Sequence, residues 1–535
     1  GPGQNRAIQG VADAHLGSAA LAHAFCLKGV EATPIEVQAD LTPGLPAFSL
    51  VGLPDTAIRE SRERVRSAIQ ATIGRFPLKR ITVNLAPADV KKDGTGYDLP
   101  IAVSILLGGM LKKAPEESVV FLGELALDGR VLPVPGVLPI VASAKALGFS
   151  SFVLPYDNRA EALAVGGFRA LFVKHLAGVV GWLQESAPMP FYEREVQTFQ
   201  DNAKSALLTL GQVVGQEFAK RALLIAAAGG HNLLFEGPPG AGKTLLAKCM
   251  PSLLPPLDET EAIETTKIYS VAGKLPKETG LLTERPFRSP HTTISDVGLT
   301  GGGNPPRPGE ISLAHNGILF LDEFPEFKRS ALEALRQPLE EGTIDIVRAQ
   351  ASVRYPARIL LVAAMNPCPC GFLGHPSKPC TCTPALLSRY RSRVSGPILD
   401  RIDLQVFVPP VSLKELTAQS DAQEDAQGGQ GKATLECVLQ ARKIQAERYS
   451  NQALRTNARL SPAQLKQHAR LESKSKALLE RAFERFGISM RGLHKVLRVA
   501  RTIADLEGEG IIAPKHLLEA LQYRFETSTG KAPSA

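Results

Sequence analysis

The chain has 535 residues, more than one hydrophobic core accommodates, and reads as roughly two to four domains. With 44% hydrophobic and 21% charged residues and no apolar run near the ~18 residues of a membrane span, it excludes a membrane protein and is expected in the cytoplasm. A net charge of +8 permits a polyanionic partner without proving one, and seven cysteines, with four of them between Cys368 and Cys382, argue against a disulfide scaffold.

The opening Gly1-Pro2-Gly3 reads as the remnant of a cleaved tag, so residues 1–6 are set apart from the fold. From 7 to 185, short β-type runs (Ile35–Ala39, Ile81–Leu85, Phe152–Leu154) alternate with helical stretches such as Ala57–Ile69 and Leu99–Leu107, the pattern of a self-contained α+β domain. Two segments, Lys92-Asp93-Gly94-Thr95-Gly96-Tyr97-Asp98 and Gly123-Glu124-Leu125 through Gly136-Val137, resemble the Lon-protease catalytic domain. The resemblance places the nucleophilic serine at Gly96 and the catalytic lysine at Leu138. Neither can act, because a Ser–Lys dyad needs a hydroxyl and an amine. Thr95 lies next to the first position and still lacks the amine. The domain is expected to keep that fold as a platform for subunits or nucleic acid, without proteolysis.

A polar stretch, 186–204, reads as a linker into a nucleotide-binding α/β domain over 205–410. Its centre is Gly237-Pro238-Pro239-Gly240-Ala241-Gly242-Lys243-Thr244, a G-x-x-x-x-G-K-T loop after the apolar run Leu233-Leu234-Phe235. In such a loop backbone N–H groups close around phosphates, Lys243 reaches the β/γ-phosphates of ATP and Thr244 ligates Mg²⁺. Ile318-Leu319-Phe320-Leu321-Asp322-Glu323 has the form of a buried strand ending in a Walker B pair. Asp322 would hold Mg²⁺ and Glu323 would polarise the attacking water. The apolar run Ile359–Met365 ends in Asn366, whose amide can position that water as sensor 1, although Asn before Pro367 also signals a turn. Arg401, in Leu399-Asp400-Arg401-Ile402-Asp403, can neutralise phosphoryl charge in a neighbouring subunit; a structural Arg–Asp pair is the competing reading. After a flexible loop over 411–433, residues 434–535 read as a helical lid with helix starts at Ser461-Pro462 and Ala513-Pro514. There Arg491 is the sensor 2 candidate, with Arg498 and Arg501 as competing assignments.

The order of these motifs, with Arg285–His291, Pro308–His315 and Val499–Leu506, resembles the magnesium-chelatase-like AAA+ family. Within it, the Lon-like domain and Cys368-Pro369-Cys370 resemble the bacterial ComM/YifB proteins, and the match covers nearly the whole chain. The fold class implied is multidomain: a Lon-protease-like α+β domain, a P-loop AAA+ α/β domain and a C-terminal helical lid. The activity implied is that of a homohexameric ring ATPase acting as a DNA helicase in branch migration during natural transformation. Its partners would be single-stranded and branched DNA, further copies of itself and recombination proteins, with no membrane.

Candidate DNA contacts are Arg288 and Arg307, flanking Thr300-Gly301-Gly302-Gly303-Asn304, and Arg348 at the tip of a β-hairpin formed by 343–347 and 352–355. Cys368, Cys370, Cys380 and Cys382 form two C-x-C knuckles that can hold a structural Zn²⁺, with His375 as a substitute ligand; redox-active or merely buried thiols are the alternative. A chelatase-type motor that remodels a metal-inserting protein is the competing function. An ATP-dependent protease is disfavoured by Gly96 and Leu138.

Overall fold

The computed structural model describes residues 20–523 apart from 112–114, 116, 186, 196–206, 349–350, 395, 419–428 and 451–454; residues 1–6, and much of 186–204 and 411–433, lie outside the described residues. The chain divides into two compact units, one of residues up to 198 together with 266–282, the other of 199–265 together with 283 onward.

The described residues of the first unit carry an eight-stranded mixed sheet in the order Phe191–Tyr192, Phe168–Val173, Ser151–Pro155, Val119–Phe121, Ala20–Lys28, Glu31–Thr42, Arg80–Ala86, Ala47–Val51. Successive side chains on a strand point to opposite faces, and the core divides accordingly. Ala22, Ala24, Phe121 and Val153 join the helices Thr56–Ile73, Asp98–Gly109 and Leu176–Glu185 on one face. Phe25, Val120, Phe152 and Leu154 meet Val137–Ala146 and Arg159–Val165 on the other. The edge strand Phe191–Tyr192 lies inside the stretch read as linker and pairs antiparallel with Phe168–Val173, with Tyr192 edge-on to Phe172.

Asp98 ties this unit together. Its buried carboxylate accepts from Ser61 Oγ (2.5 Å), Arg64 Nε (2.7 Å) and the Leu125 amide (3.0 Å), joining two helices and a hairpin. Burial pushes its pKa up against these donors.

The second unit holds a parallel sheet in the order Phe287–Arg288, Ile318–Leu321, Leu360–Met365, Leu233–Glu236, Leu404–Phe407. The strands before the phosphate loop and before Asn366 are therefore neighbours, and the Walker B strand is next in line. Each is a short buried run, apolar throughout except for Glu236 at the end of the phosphate-loop strand, as a strand covered on both faces requires. Helix Glu217–Gly229 and the lid helix Met490–Leu506 pack into one core with this sheet through Ala222, Leu223, Val496, Val499 and Ile503. Ser461 and Ser489 cap the lid helices Pro462–His468 and Met490–Leu506 by accepting from Gln464 and Gly492 amides.

Candidate functional site

The phosphate loop follows from its neighbours. A Cβ on Gly237 would collide with the Val408 carbonyl, so only glycine lets the loop leave its strand there. Lys243 Nζ turns back into the loop and donates to the carbonyls of Gly237 (2.6 Å) and Pro238 (2.9 Å) and to Asn366 Oδ1 (3.3 Å). Burial lowers the Lys243 pKa, opposed by Asp322 and Glu236. Thr244 Oγ1 donates to Asp322 Oδ2 at 2.9 Å, which brings the two expected Mg²⁺ ligands from loop and Walker B strand into contact. Asp322 Oδ1 accepts from the Glu323 amide (2.8 Å). Glu323 itself is exposed and sits at φ 52°, a left-handed conformation that costs a non-glycine residue energy and is common where a side chain must be aimed. Gly237–Thr244, Asp322 and Asn366 thus form one connected cluster.

Gln216 was not singled out in the sequence. It too is left-handed, at φ 57°, and its Nε2 donates to the carbonyls of Ala241 (3.1 Å) and Pro409 (2.6 Å), clasping the loop from outside. No local pattern marks it, since the carbonyls it holds lie 25 and 193 residues away along the chain.

Arg401 is half-exposed, and its guanidinium pairs with Glu340 at 2.8 Å. The segment that carries it is fixed from two sides. Asn232 Nδ2 donates to the Arg401 carbonyl (3.0 Å), and the neighbouring His231 bonds Asp403 (2.7 Å) and, through its other nitrogen, Thr502 of the lid (2.6 Å). The three lid arginines separate by environment. Arg501 is fully buried against Asp505 and the Glu509 and Gly510 carbonyls, and Arg498 donates to the Leu460 carbonyl. Arg491 is exposed at the start of its helix and pairs with Asp400 (3.1 Å), next to Arg401.

Among the residues read as DNA contacts, Arg288 makes a two-pronged pair with Glu310 (2.6 and 2.7 Å), so it reaches a phosphate only by giving up that partner. Arg307 is exposed, in a short antiparallel pairing with Gly302. The hairpin forms between Thr343–Arg348 and Ala351–Pro356; the Arg348 side chain and residues 349–350 lie outside the described residues.

The sulfurs of Cys368, Cys370, Cys380 and Cys382 all lie within 4.8 Å of one another. Cys368 is 3.3 Å from Cys370 and 3.8 Å from Cys380, and Cys370 is 3.6 Å from Cys380. A tetrahedral ion bonded to sulfur at about 2.3 Å spaces its ligands about 3.8 Å apart, so four thiolates in this arrangement suit a metal ion. The Phe372 amide, bonding the Cys370 sulfur, lowers the pKa of that thiol, while those of Cys380 and Cys382, crowded against their neighbouring thiols, are raised. Among the described residues the cluster groups the four cysteines without His375, whose Nδ1 accepts from the Ser377 and Lys378 amides (3.1 and 3.0 Å) and stabilises the turn between the knuckles.

In the first unit, Gly96 and Leu138 are the residues to which the resemblance assigns a dyad. A Cβ at Gly96 would only graze Val134, and Leu138 is buried. Thr95 Oγ1 donates to Glu124 rather than meeting an amine (3.2 Å).

The family model described as magnesium chelatase, subunit ChlI, matches residues 209–416; models of subunit ChlI of Mg-chelatase and of the ChlI C-terminal region match 37–158 and 430–524. The competence protein ComM of Haemophilus influenzae is 43% identical over 512 residues, covering 95% of this chain and 97% of that protein. YifB of Escherichia coli is 42% identical over 515 residues with the same coverage. The magnesium-chelatase 38 kDa subunit of Rhodobacter capsulatus is 26% identical over 328 residues, 57% of this chain and 83% of that subunit. With two-fifths identity over almost the full length of both chains, the protein belongs to the ComM/YifB family of magnesium-chelatase-like AAA+ proteins.

Proposed function

We propose that this protein is an ATP-driven, ring-forming DNA translocase that migrates branched recombination intermediates during natural transformation. The observation that carries the reading is a nucleotide cluster of Lys243, Thr244, Asp322 and Asn366 in a chain that matches a competence protein nearly end to end. Gly237–Thr244 would cradle the ATP phosphates, with Lys243 exchanging its carbonyl partners for phosphate oxygens. Thr244 and Asp322 would hold Mg²⁺, which supplies charge neutralisation at the β- and γ-oxygens. Glu323 would orient and polarise the attacking water, with the Asn366 amide beside it. Arg401 would act in the neighbouring subunit's site and Arg491 in its own, their present partners Glu340 and Asp400 being exchangeable surface carboxylates. Arg307 and the hairpin tip with Arg348 would grip DNA phosphates, six copies multiplying a weak contact. The four cysteines would hold one Zn²⁺, closed to water by four protein ligands.

The matches to chelatase subunit models favour one other reading, a motor that remodels a metal-inserting protein. ATP hydrolysis by the purified protein, measured with and without single-stranded or forked DNA, separates the two. Stimulation by DNA supports the translocase; a rate indifferent to DNA that rises with a protein partner supports the chelatase motor.

A further inference from the structure

The loop between the sensor strand and the following helix leaves Asn366 and returns to it. Cys368 stands two residues beyond Asn366, and the Gly371 amide donates to the Cys368 carbonyl (3.0 Å) to close a tight turn. Gly371 has φ +85°, and a Cβ there would lie 2.8 Å from Pro239 Cδ and 4.0 Å from Asn366 Nδ2. The first knuckle therefore lies directly on the phosphate loop at a point where only glycine fits. The second knuckle leads through Thr383, which caps helix Pro384–Arg391 by accepting from the Leu386 amide. On that helix, the Tyr390 hydroxyl donates to the Asn366 carbonyl (3.0 Å) and Arg391 pairs with Glu236, the residue before Gly237 (3.5 Å). Between the knuckles, residues 371–379 contain neither helix nor strand. The sulfur cluster is what joins the two ends of this excursion, and both ends bear on the nucleotide site.

We propose that a metal ion held by Cys368, Cys370, Cys380 and Cys382 gates ATP hydrolysis: bound, it fixes Asn366 and Pro239 in working positions, and its loss leaves nucleotide binding but uncouples it from turnover. The proposal rests on the ATPase reading above and adds a regulator to it. Binding to four thiolates stabilises the fold it organises, so an excursion without regular structure becomes rigid only when loaded. Displacement of a positioning group by about 1 Å costs on the order of 10²-fold in rate, which sets the size of the effect. Phosphate affinity, carried by Gly237–Thr244, changes much less.

The test uses the full chain purified with its metal, the same protein stripped by a strong chelator, and two variants, Cys380→Ser with Cys382→Ser, and Gly371→Ala. Metal content, amide hydrogen exchange, MgATP binding and ATP hydrolysis are measured on each. Loaded protein should carry about one zinc per chain. Stripped protein and the double cysteine variant should exchange faster at 366–371 and at 237–244, bind MgATP within a few-fold of loaded protein, and hydrolyse it about 10²-fold more slowly; zinc should restore the stripped sample. Gly371→Ala should keep its zinc and lose hydrolysis, because its added methyl displaces Pro239. Stripped protein with unchanged exchange at 237–244 and full hydrolysis would overturn the gate, as would Gly371→Ala with full hydrolysis. A loaded wild type that hydrolyses no ATP would instead remove the ATPase reading, and exchange at 237–244 would still decide the coupling.

Discussion

Lys243 is buried and already bonded to three oxygens of the site, so removing its amine strips the loop of its one deep cation. Lys243→Ala should abolish MgATP binding, seen as loss of fluorescent-nucleotide binding at any accessible concentration. Arg401 predicts the opposite pattern. Arg401→Ala should bind MgATP normally and hydrolyse it about 10³-fold more slowly, in line with trans-acting arginines elsewhere; normal turnover in a steady-state assay would reduce Arg401 to the partner of Glu340. At this scale the sequence was most legible where chemistry dictates residue type and spacing. Gly237–Thr244 and Asp322 are recognisable because a G-K-T loop after one apolar strand and an acidic pair after another have few other uses together. Gln216 and the split among Arg491, Arg498 and Arg501 were not legible, since a backbone clasp and a buried salt bridge use the same residue types as the surface does.

Elements carry what single residues cannot. Helix Glu259–Val271 contributes Glu261 and Glu264 to the second unit, where Arg285 and His315 bond them, yet residues from 266 onward group with the first. There the Ser270 carbonyl accepts from Gly136, and Ser270 Oγ donates to Glu161, which also accepts from the Leu138 amide at the start of Val137–Ala146. No periodicity announces a segment that packs against a distant part of the chain. Burial raises the Glu161 carboxyl from 4.5 to about 7. Because the folded state then binds more protons at this group than the unfolded one between those values, the contribution of Glu161 to stability is fully present below about 4.5 and is lost as pH rises to about 7, by about 3 kcal/mol in total. The chain's one tryptophan, Trp182, lies in the same unit and reports its unfolding. Glu161→Gln should flatten that slope in urea titrations followed by Trp182 fluorescence; a slope equal to wild type would show that Glu161 is not the titrating group.

For the whole molecule, the sequence announced both architectures because each has its own pattern: strand and helix alternation with the Lon-like segments first, then short apolar strands closing on charged motifs. The strand order of the second unit, which sets the Asn366 strand between the phosphate-loop strand and the Walker B strand, makes the separate motifs one site. Which residues would contact DNA was the least legible point, since arginines on loops serve surface and ligand alike, and Arg288 is paired with Glu310. The most direct test of the motor is a labelled four-way DNA junction incubated with the protein and MgATP, its products resolved by native electrophoresis. The account predicts that wild type converts the junction to its branch-migrated products only with hydrolysable ATP and that Lys243→Ala leaves it intact. A junction untouched by a wild type that hydrolyses ATP would contradict it.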